Sequence, residues 1–289
     1  MTGVDLKIPL LEENFSKLQT VLDEARQDFS NDVESFCKTG IFKMGRFIRF
    51  YADLMKQMNT KLNEDFVEEL DNVDFELNLE EKEGNSEKMR KFLMEWNDFL
   101  KEIESKETVN LSQSFQVEDL LPENIKNEFY LSQIVKDKPE QFDKSCVKDL
   151  HLDFRKKQDS VSNKSFVIFG EPKGAYRWFM ENHVSFSDQQ FDMVSDQDRR
   201  LYKLFGLPNS YVKVWNSETL IYYAEQLVRL GTLPGSYQDV EDDPHQMGGN
   251  FILQYSDDSN FRLIFSYKSK NPPDRPSAQT LLEFLESKF

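Results

Sequence analysis

Few residues of this chain could perform nucleophilic or metal chemistry. The two cysteines, Cys37 and Cys146, lie far apart in sequence. Neither belongs to a C-x-x-C pair or to a disulfide-dense framework, which argues against a structural zinc site and indicates a reducing compartment. The three histidines, His151, His183 and His245, lack the i, i+4 spacing of a zinc-binding helix. We therefore expect no metal and no catalytic triad.

Two further kinds of site find no support in the sequence. Neither G-x-G-x-x-G nor G-x-x-x-x-G-K-[ST] occurs, so we expect no nucleotide cofactor. An acidic run before His245 (Asp239, Glu241, Asp242 and Asp243) could attract a cation. It lacks the spacing and the central glycine of an EF-hand, and we interpret it as a solvated loop.

Length and charge narrow the class of protein. A chain of 289 residues is long enough for about two domains. The net charge of −16 argues against nucleic acid as a partner, because a phosphate-binding surface needs an excess of cations. No apolar run is long enough to span a bilayer, and the first residues do not form a signal peptide. These features predict a cytoplasmic protein without a membrane span.

The first of the two expected domains, residues 1–111, is acidic and helical. Residues 1–115 hold 25 acidic and 15 basic residues. Apolar residues recur at three- and four-residue spacing from Phe15 to Phe36, which predicts one helix ending at Thr39 and Gly40. Residues 64–83 mix two periodicities and leave their type open. Ser86 is the expected N-cap of a last helix with an apolar stripe from Met89 to Ile103.

A basic helix is expected over residues 41–61, between these acidic segments. Its cations include Lys43, Arg46, Arg49 and Lys56. One interpretation is a helix that lies on an anionic membrane surface or docks a partner. The favoured alternative is a core helix whose cations face the acidic helices beside it.

The second expected domain, residues 112–289, alternates short apolar runs with helical patterns. FVIFG (166–170) and FDMV (191–194) are expected strands, with a helix between them that includes Ala175, Trp178 and Phe179. Further helices are expected at 198–207 and 217–230. FILQY (251–255) and FRLIFSY (261–267) are expected to form a hairpin, followed by a last helix. The order βαβα, then ββα, predicts an α/β thioredoxin-like C-terminal domain after the all-α N-terminal domain.

Four segments of the second half together resemble the peroxiredoxin-like 2 group, relatives of alkyl hydroperoxide reductase and thiol-specific antioxidant proteins. They are FVIFG, DRRLYKLFGL (198–207), QMGGNFIL (246–253) and YKSKNPPDRP (267–276). The resemblance covers at most residues 112–289. It implies an antioxidant thiol activity with a C-x-x-C after the first central strand, at the start of a helix, where the dipole lowers the thiol pKa.

The resemblance places this motif at Asp143, Lys144, Ser145 and Cys146. The second cysteine is present and the first is replaced by Asp143. Any catalysis is then of a one-cysteine kind, with an outside thiol as reductant. Asp143 is a suitable N-cap whose charge opposes thiolate formation, while Lys144 favours it. The alternative is a half-buried Cys146 that packs as a small hydrophobe.

The resemblance also concerns a cation that would assist peroxide binding. Ordinary peroxiredoxins carry an arginine before the strand that matches NFIL, and here that position is Gly248. Lys268 stands where relatives often have arginine, and an ammonium lacks the planar fork of a guanidinium. Cys146, Asp143, Lys144 and Lys268 are thus the candidate site residues.

Two classes of function follow. The first is a peroxiredoxin-like protein with a degenerate one-cysteine redox activity at Cys146. The second is a non-catalytic pseudoenzyme that acts as a scaffold, with a protein partner bound through the helical domain, or that holds a small apolar ligand. No cofactor is expected for either.

Overall fold

The computed structural model describes residues 3–77, 84–106, 165–168, 173–174, 177, 192–196, 199–233, 237, 239–240, 243–255 and 261–288. Its elements, in chain order, are α1 (Gly3–Asn31), α2 (Val33–Lys38), a 3₁₀ helix (Gly40–Gly45), α3 (Arg46–Gln57), α4 (Asn63–Glu76), α5 (Asn85–Lys106), β1 (Ser165–Ile168), β2 (Asp192–Ser195), α6 (Arg200–Leu204), α7 (Tyr211–Trp215), α8 (Ser217–Leu230), β3 (Gly249–Tyr255), β4 (Phe261–Lys268) and α9 (Ala278–Lys288). Most of these described residues are helical.

The chain divides into two compact units. Unit 1 comprises Met1–Val109, Asn209–Leu233 and Pro244–Gln246, and unit 2 comprises Asn110–Pro208, Pro234–Asp243 and Met247–Phe289. The sequence assigned residues 217–230 to the second domain, whereas α8 belongs to unit 1. Hydrophobic periodicity shows that a helix buries one face but does not show against which partner.

Unit 1 begins with the apolar stripe predicted to be a single helix, and that stripe is divided in two. Helix α1 ends at Asn31, and α2 begins directly after Asp32. The Asp32 carboxylate accepts a hydrogen bond from the Ser35 amide at 2.9 Å, which caps α2. Phe29 and Phe36 remain packed edge to face across the break, with ring centroids 5.5 Å apart.

The basic helix is part of the core of unit 1. Helix α3 packs against α1 and α8 and buries Phe47, Tyr51 and Leu54. On the polar side, Lys43 lies 2.6 Å from Asp28 of α1, and Arg46 forms an ion pair with Glu24. The preferred prediction of a buried helix whose cations face an acidic neighbour is confirmed for Lys43 and Arg46. The predicted single helix over residues 41–61 is instead divided into the 3₁₀ helix, which carries Lys43, and α3, which ends at Gln57.

Buried hydrogen bonds fix the late helices of unit 1 to the early ones. The Trp96 indole of α5 donates to the Trp215 carbonyl of α7 at 2.9 Å, and the Tyr211 hydroxyl donates to the Cys37 carbonyl at 3.2 Å. Asn97 donates to the Ser217 hydroxyl at 2.9 Å and accepts from the Ser217 amide at 3.0 Å. These contacts explain why residues 209–233 belong to this unit.

Helices α4 and α5 settle the segment whose type the sequence left open. Residues 63–76 are helical, with Phe66, Leu70 and Val73 buried. Asp74 of α4 caps α5, because its carboxylate accepts from the Asn85 amide at 2.7 Å and from the Ser86 amide at 2.9 Å. The predicted N-cap role of Ser86 is therefore filled by a residue from the preceding helix.

The predicted α/β thioredoxin-like fold of the C-terminal half is wrong. The four described strands form two separate two-stranded sheets, with β1 parallel to β2 and β3 antiparallel to β4. A thioredoxin-like domain needs the hairpin to continue one central sheet. The alternation of apolar runs identified the individual strands, but a strand pattern does not specify which neighbour a strand edge pairs with.

Unit 2 also contains a short capped helix against the hairpin. The Asp196 carboxylate accepts from the amides of Arg200 at 2.7 Å and Leu201 at 2.8 Å, at the start of α6. The Phe205 ring stacks on Phe251 of β3 at 4.1 Å between centroids, beside buried Leu263 of β4. This packing holds the end of α6 against the hairpin.

Candidate functional site

The four predicted site residues fare differently. Cys146, Asp143 and Lys144 lie outside the described residues, so their roles stay predictions. Lys268 is the last residue of β4, paired with Gly249 at the open end of the hairpin. The other cysteine, Cys37, is buried in the core of unit 1.

The open end of the hairpin in unit 2 has two distinct faces. Asn250 pairs with Tyr267, and Gly249 pairs with Lys268. Because successive side chains of a strand point to opposite faces, Tyr267 and Lys268 lie on different sides. The pairing continues one step further, where the Ser269 amide donates to the Gly248 carbonyl at 3.1 Å.

The turn after β4 is organised by Asp274. Its carboxylate accepts from the Tyr267 hydroxyl at 2.5 Å and from the Lys270 amide at 2.7 Å, while its own amide donates to Asn271 Oδ1 at 3.0 Å. The hydrogen bond from Tyr267 lowers the pKa of Asp274, with the Lys270 amide adding to the effect. The same bond raises the pKa of Tyr267.

This turn carries Arg275 to Gly248. The Arg275 guanidinium donates to the hydroxyl of Ser269, a residue only 3% exposed. A Cβ atom built on Gly248 would lie 3.1 Å from both terminal nitrogens of Arg275. The guanidinium therefore occupies the space that a side chain at Gly248 would need, on the same side of the hairpin as Tyr267.

Gly249, the neighbouring residue, must be glycine for a different physical reason. A Cβ on Gly249 would lie 2.7 Å from the Tyr267 carbonyl oxygen and 3.0 Å from Leu207. Backbone cannot move aside as a flexible side-chain end can, so Gly249 is required for strand pairing. The Gly-Gly pair in QMGGNFIL thus combines one position for close packing with one that admits Arg275.

Two further polar groups adjoin this cluster. The side-chain oxygen of Asn250 is buried and has no hydrogen-bond partner among the described residues. Burial, followed by the charge of Asp196, raises the pKa of Tyr202, while the nearby charge of Arg275 acts in the opposite direction. The positive charge of Arg275 therefore acts on Tyr202 of α6 within unit 2.

The arrangement offers a guanidinium, held by Ser269, to an oxygen-rich or anionic group. A guanidinium presents several N–H donors in one plane, which suits a peroxide, a carboxylate or a phosphate. The sequence identified Lys268 as the candidate cation, whereas the structure places the Arg275 guanidinium beside Gly248. Asp274 and Arg275 end the segment NPPDR, so the sequence contains the cation. It does not show that the turn directs the Arg275 side chain to Gly248.

The acidic run before His245 is engaged by arginines. Asp239 forms two hydrogen bonds with Arg177, at 2.6 and 2.9 Å, and these lower the pKa of Asp239. Asp243 forms an ion pair with Arg199. Within the described part of the chain, no group of three metal-ligating side chains converges.

Comparisons with known proteins add no relative to this description. No family model, curated protein or solved structure matches the chain. Among the described residues, no helix is both long and apolar enough to cross a membrane. The geometry around Gly248 and Arg275 is therefore the basis for a functional proposal.

Proposed function

We propose that the protein is a one-cysteine thiol peroxidase in which Cys146 is the nucleophile and Arg275 binds the peroxide. The observation that supports this proposal is the position of the Arg275 guanidinium, whose terminal nitrogens lie 3.1 Å from the Cβ position of Gly248. Gly248 is where the resemblance places the peroxide-binding arginine of ordinary peroxiredoxins. A guanidinium from the turn after β4 would serve in its place.

The proposed reaction needs an outside thiol. The Cys146 thiolate attacks one oxygen of the peroxide, a sulfur–oxygen bond forms, the oxygen–oxygen bond breaks, and the leaving oxygen takes a proton to give water or an alcohol. The resulting sulfenic acid reacts with one outside thiol, releasing water and forming a mixed disulfide. A second thiol regenerates Cys146 and leaves as the disulfide of the reductant.

Arg275 would act on the charge that develops on the leaving oxygen. Fixed N–H donors stabilise such an oxyanion, and removing one such donor typically costs about a hundredfold in rate. The hydrogen bond to Ser269 orients the guanidinium before the substrate arrives. Lys268, on the other face of the hairpin, would contribute only a general positive charge.

The test uses the full chain with hydrogen peroxide and a small thiol reductant. We expect an oxygen adduct on Cys146 by intact mass, and loss of peroxide consumption in Cys146→Ser. Arg275→Gln should lose about a hundredfold in turnover, and Arg275→Lys should retain part of it. Lys270→Gln removes the same charge from the same turn and should leave turnover unchanged.

Two results would oppose the proposal at different points. Peroxide consumption that is unchanged in Cys146→Ser would remove the thiol chemistry altogether. Adduct formation on Cys146 that is equally fast in wild type and Arg275→Gln would keep the thiol and remove the role of Arg275.

The second candidate function is a non-catalytic scaffold that binds a partner protein through its helical unit. It is favoured by α4, which contains seven acidic and no basic residues. Absence of any adduct on Cys146, together with specific binding at α4, would favour this alternative over the peroxidase.

A further inference from the structure

Helix α4 differs from the other charged helices of unit 1. Lys43 of the 3₁₀ helix and Arg46 of α3 are paired with carboxylates of α1, and Lys56 of α3 is paired with Asp53 of the same helix. In α4, Glu64, Glu68 and Asp71 form no ion pair with any residue that the structure describes. The charges of these three carboxylates are therefore not neutralised by an ion pair within the described part of unit 1.

The outer side of α4 is apolar as well as acidic. Phe75 is 72% exposed and Val67 is 41% exposed. At about 100° per residue, these two and the three carboxylates all fall within roughly 100° of the helix circumference. We call this set, namely Glu64, Val67, Glu68, Asp71 and Phe75, the α4 face.

The α4 face points away from the core. The buried residues of the helix, Phe66, Leu70 and Val73, lie on its other side. There α4 packs against α5, and the Phe66 ring packs on Tyr51 of α3. An exposed phenylalanine among unpaired carboxylates gains nothing from water. The face therefore combines apolar side chains with negative charge, the two properties that a basic amphipathic segment complements.

A hollow of about 290 Å³ adjoins one end of the α4 face. It is lined by Asp71, Asp74, Phe75, Gly84, Ser86, Glu87 and Arg90. Asp74 is occupied as the cap of α5, and Glu87 is paired with Arg90. Asp71 forms no ion pair with a described residue, so the hollow offers its carboxylate to a cation.

We infer that the α4 face binds a basic amphipathic segment of a partner protein, with a lysine or arginine side chain entering the hollow. Three carboxylates attract the cationic residues, and Val67 and Phe75 supply the apolar contact. The cation in the hollow donates to the carboxylate of Asp71. Binding combines steering by charge with an aromatic anchor, as in other interfaces that use both.

A bare metal ion would not use this surface. The carboxylates of Glu64 and Asp71 are nearly two helical turns apart, and the described residues contain no converging group of three ligands. A metal ion would also leave Phe75 exposed. A peptide with both charge and apolar side chains satisfies both parts of the surface.

The test is fluorescence anisotropy with the full chain and two synthetic peptides. One is an amphipathic helical peptide with lysine and arginine on one side and leucine on the other, and the second has the same charges with serine in place of leucine. We expect saturable binding of the first peptide and at least tenfold weaker binding of the second.

Two variants and a matched control assign the binding to α4. The triple variant Glu64→Gln, Glu68→Gln, Asp71→Asn and the single variant Phe75→Ser should each weaken binding about tenfold, which corresponds to about 1.4 kcal/mol. The control triple variant Glu12→Gln, Glu13→Gln, Asp23→Asn removes three exposed acidic charges from α1 and should bind as the wild type does. Thermal unfolding of each variant shows that it remains folded.

Three outcomes would overturn the inference. They are equal weakening in the α4 and α1 triple variants, binding that is insensitive to Phe75→Ser, and equal affinity for the two peptides. The first would show that the chain attracts cations only through its net charge, and the other two would show that no apolar contact contributes to binding. Failure of this test does not bear on Cys146, because the peroxidase assay uses neither α4 nor the peptide.

Discussion

At the scale of single residues, the turn after β4 depends on one short contact, between the Tyr267 hydroxyl and the Asp274 carboxylate at 2.5 Å. This contact holds the turn that carries Arg275. The ionised carboxylate accepts both the Tyr267 hydroxyl and the Lys270 amide, which is the reason for its lowered pKa.

We expect Tyr267→Phe to destabilise the protein in a pH-dependent way. A carboxyl whose folded pKa is lowered stabilises the fold above its unfolded pKa, about 3.9, and loses this contribution as the pH falls through the folded value. Loss of the hydroxyl donor should therefore reduce stability at neutral pH, with a difference from wild type that shrinks below about pH 4.

Urea unfolding at a series of pH values measures this difference. The exposed Tyr222→Phe is the matched control and should follow the wild-type curve at every pH. A Tyr267→Phe defect of the same size at acid and at neutral pH would mean that the hydroxyl acts through packing and not through the ionised Asp274.

Residue-level chemistry could be predicted only in part from the sequence. The Gly-Gly pair was noticed as a motif, but its two reasons, contact with the Tyr267 carbonyl and room for Arg275, depend on atoms 18 or more positions away in the chain. Lys268 is a candidate site residue from the sequence because proteins of the resembled group often have arginine at that position. Strand alternation then puts its side chain on the face opposite Tyr267.

At the scale of elements, periodicity predicted most helices of unit 1 correctly, and the differences have local causes. The long first helix is divided because Asp32 caps a new helix with its own side chain. Residues 73–77 look extended in sequence because Val73, Phe75 and Leu77 alternate with acids. In the structure these residues form the end of α4, where Val73 is buried and Phe75 is exposed. The alternation of apolar residues therefore does not correspond to one buried face.

The cap of α5 supplies a prediction at this scale. Asp74→Ala removes the acceptor for the Asn85 and Ser86 amides, and we expect it to lower the free energy of unfolding by about 1 to 2 kcal/mol. Asp74→Asn should retain part of the effect. The exposed Asp71→Ala, on the same helix, should change stability by less than about 0.5 kcal/mol.

Chemical denaturation at constant pH compares the three variants. Equal stability of Asp74→Ala and Asp71→Ala would contradict the assignment, because it would show that α5 starts without help from α4.

At the scale of the whole molecule, the chain order does not match the compact units. Residues 209–233 follow a segment of unit 2 in the chain but belong to unit 1, where α8 packs on α3. The sequence analysis predicted a single boundary between residues 111 and 112, and a single boundary cannot describe such an insertion, in which a unit is built from separate segments of the chain. The predicted thioredoxin-like sheet was wrong for the same reason. The number and order of paired strands depend on contacts between residues that are distant in sequence.

The insertion leads to a prediction about fragments. Residues 1–109 alone lack α7 and α8, so the face of α3 and the indole of Trp96 that these helices cover would be exposed. Burial of such apolar area contributes about 25 cal/mol per Å², and a domain is stable by only about 5 to 15 kcal/mol, so we expect a large loss of stability. We therefore expect the fragment to retain helical signal but to unfold without cooperativity.

A second fragment, residues 1–109 joined through a flexible linker to residues 209–246, restores those helices and should unfold in one cooperative transition. Far- and near-ultraviolet circular dichroism during thermal unfolding distinguish the two, since only fixed packing around Trp96 and Trp215 gives a near-ultraviolet signal. Cooperative unfolding of residues 1–109 at the same midpoint as the joined fragment would contradict the prediction, because α7 and α8 would then be dispensable to the core that they cover.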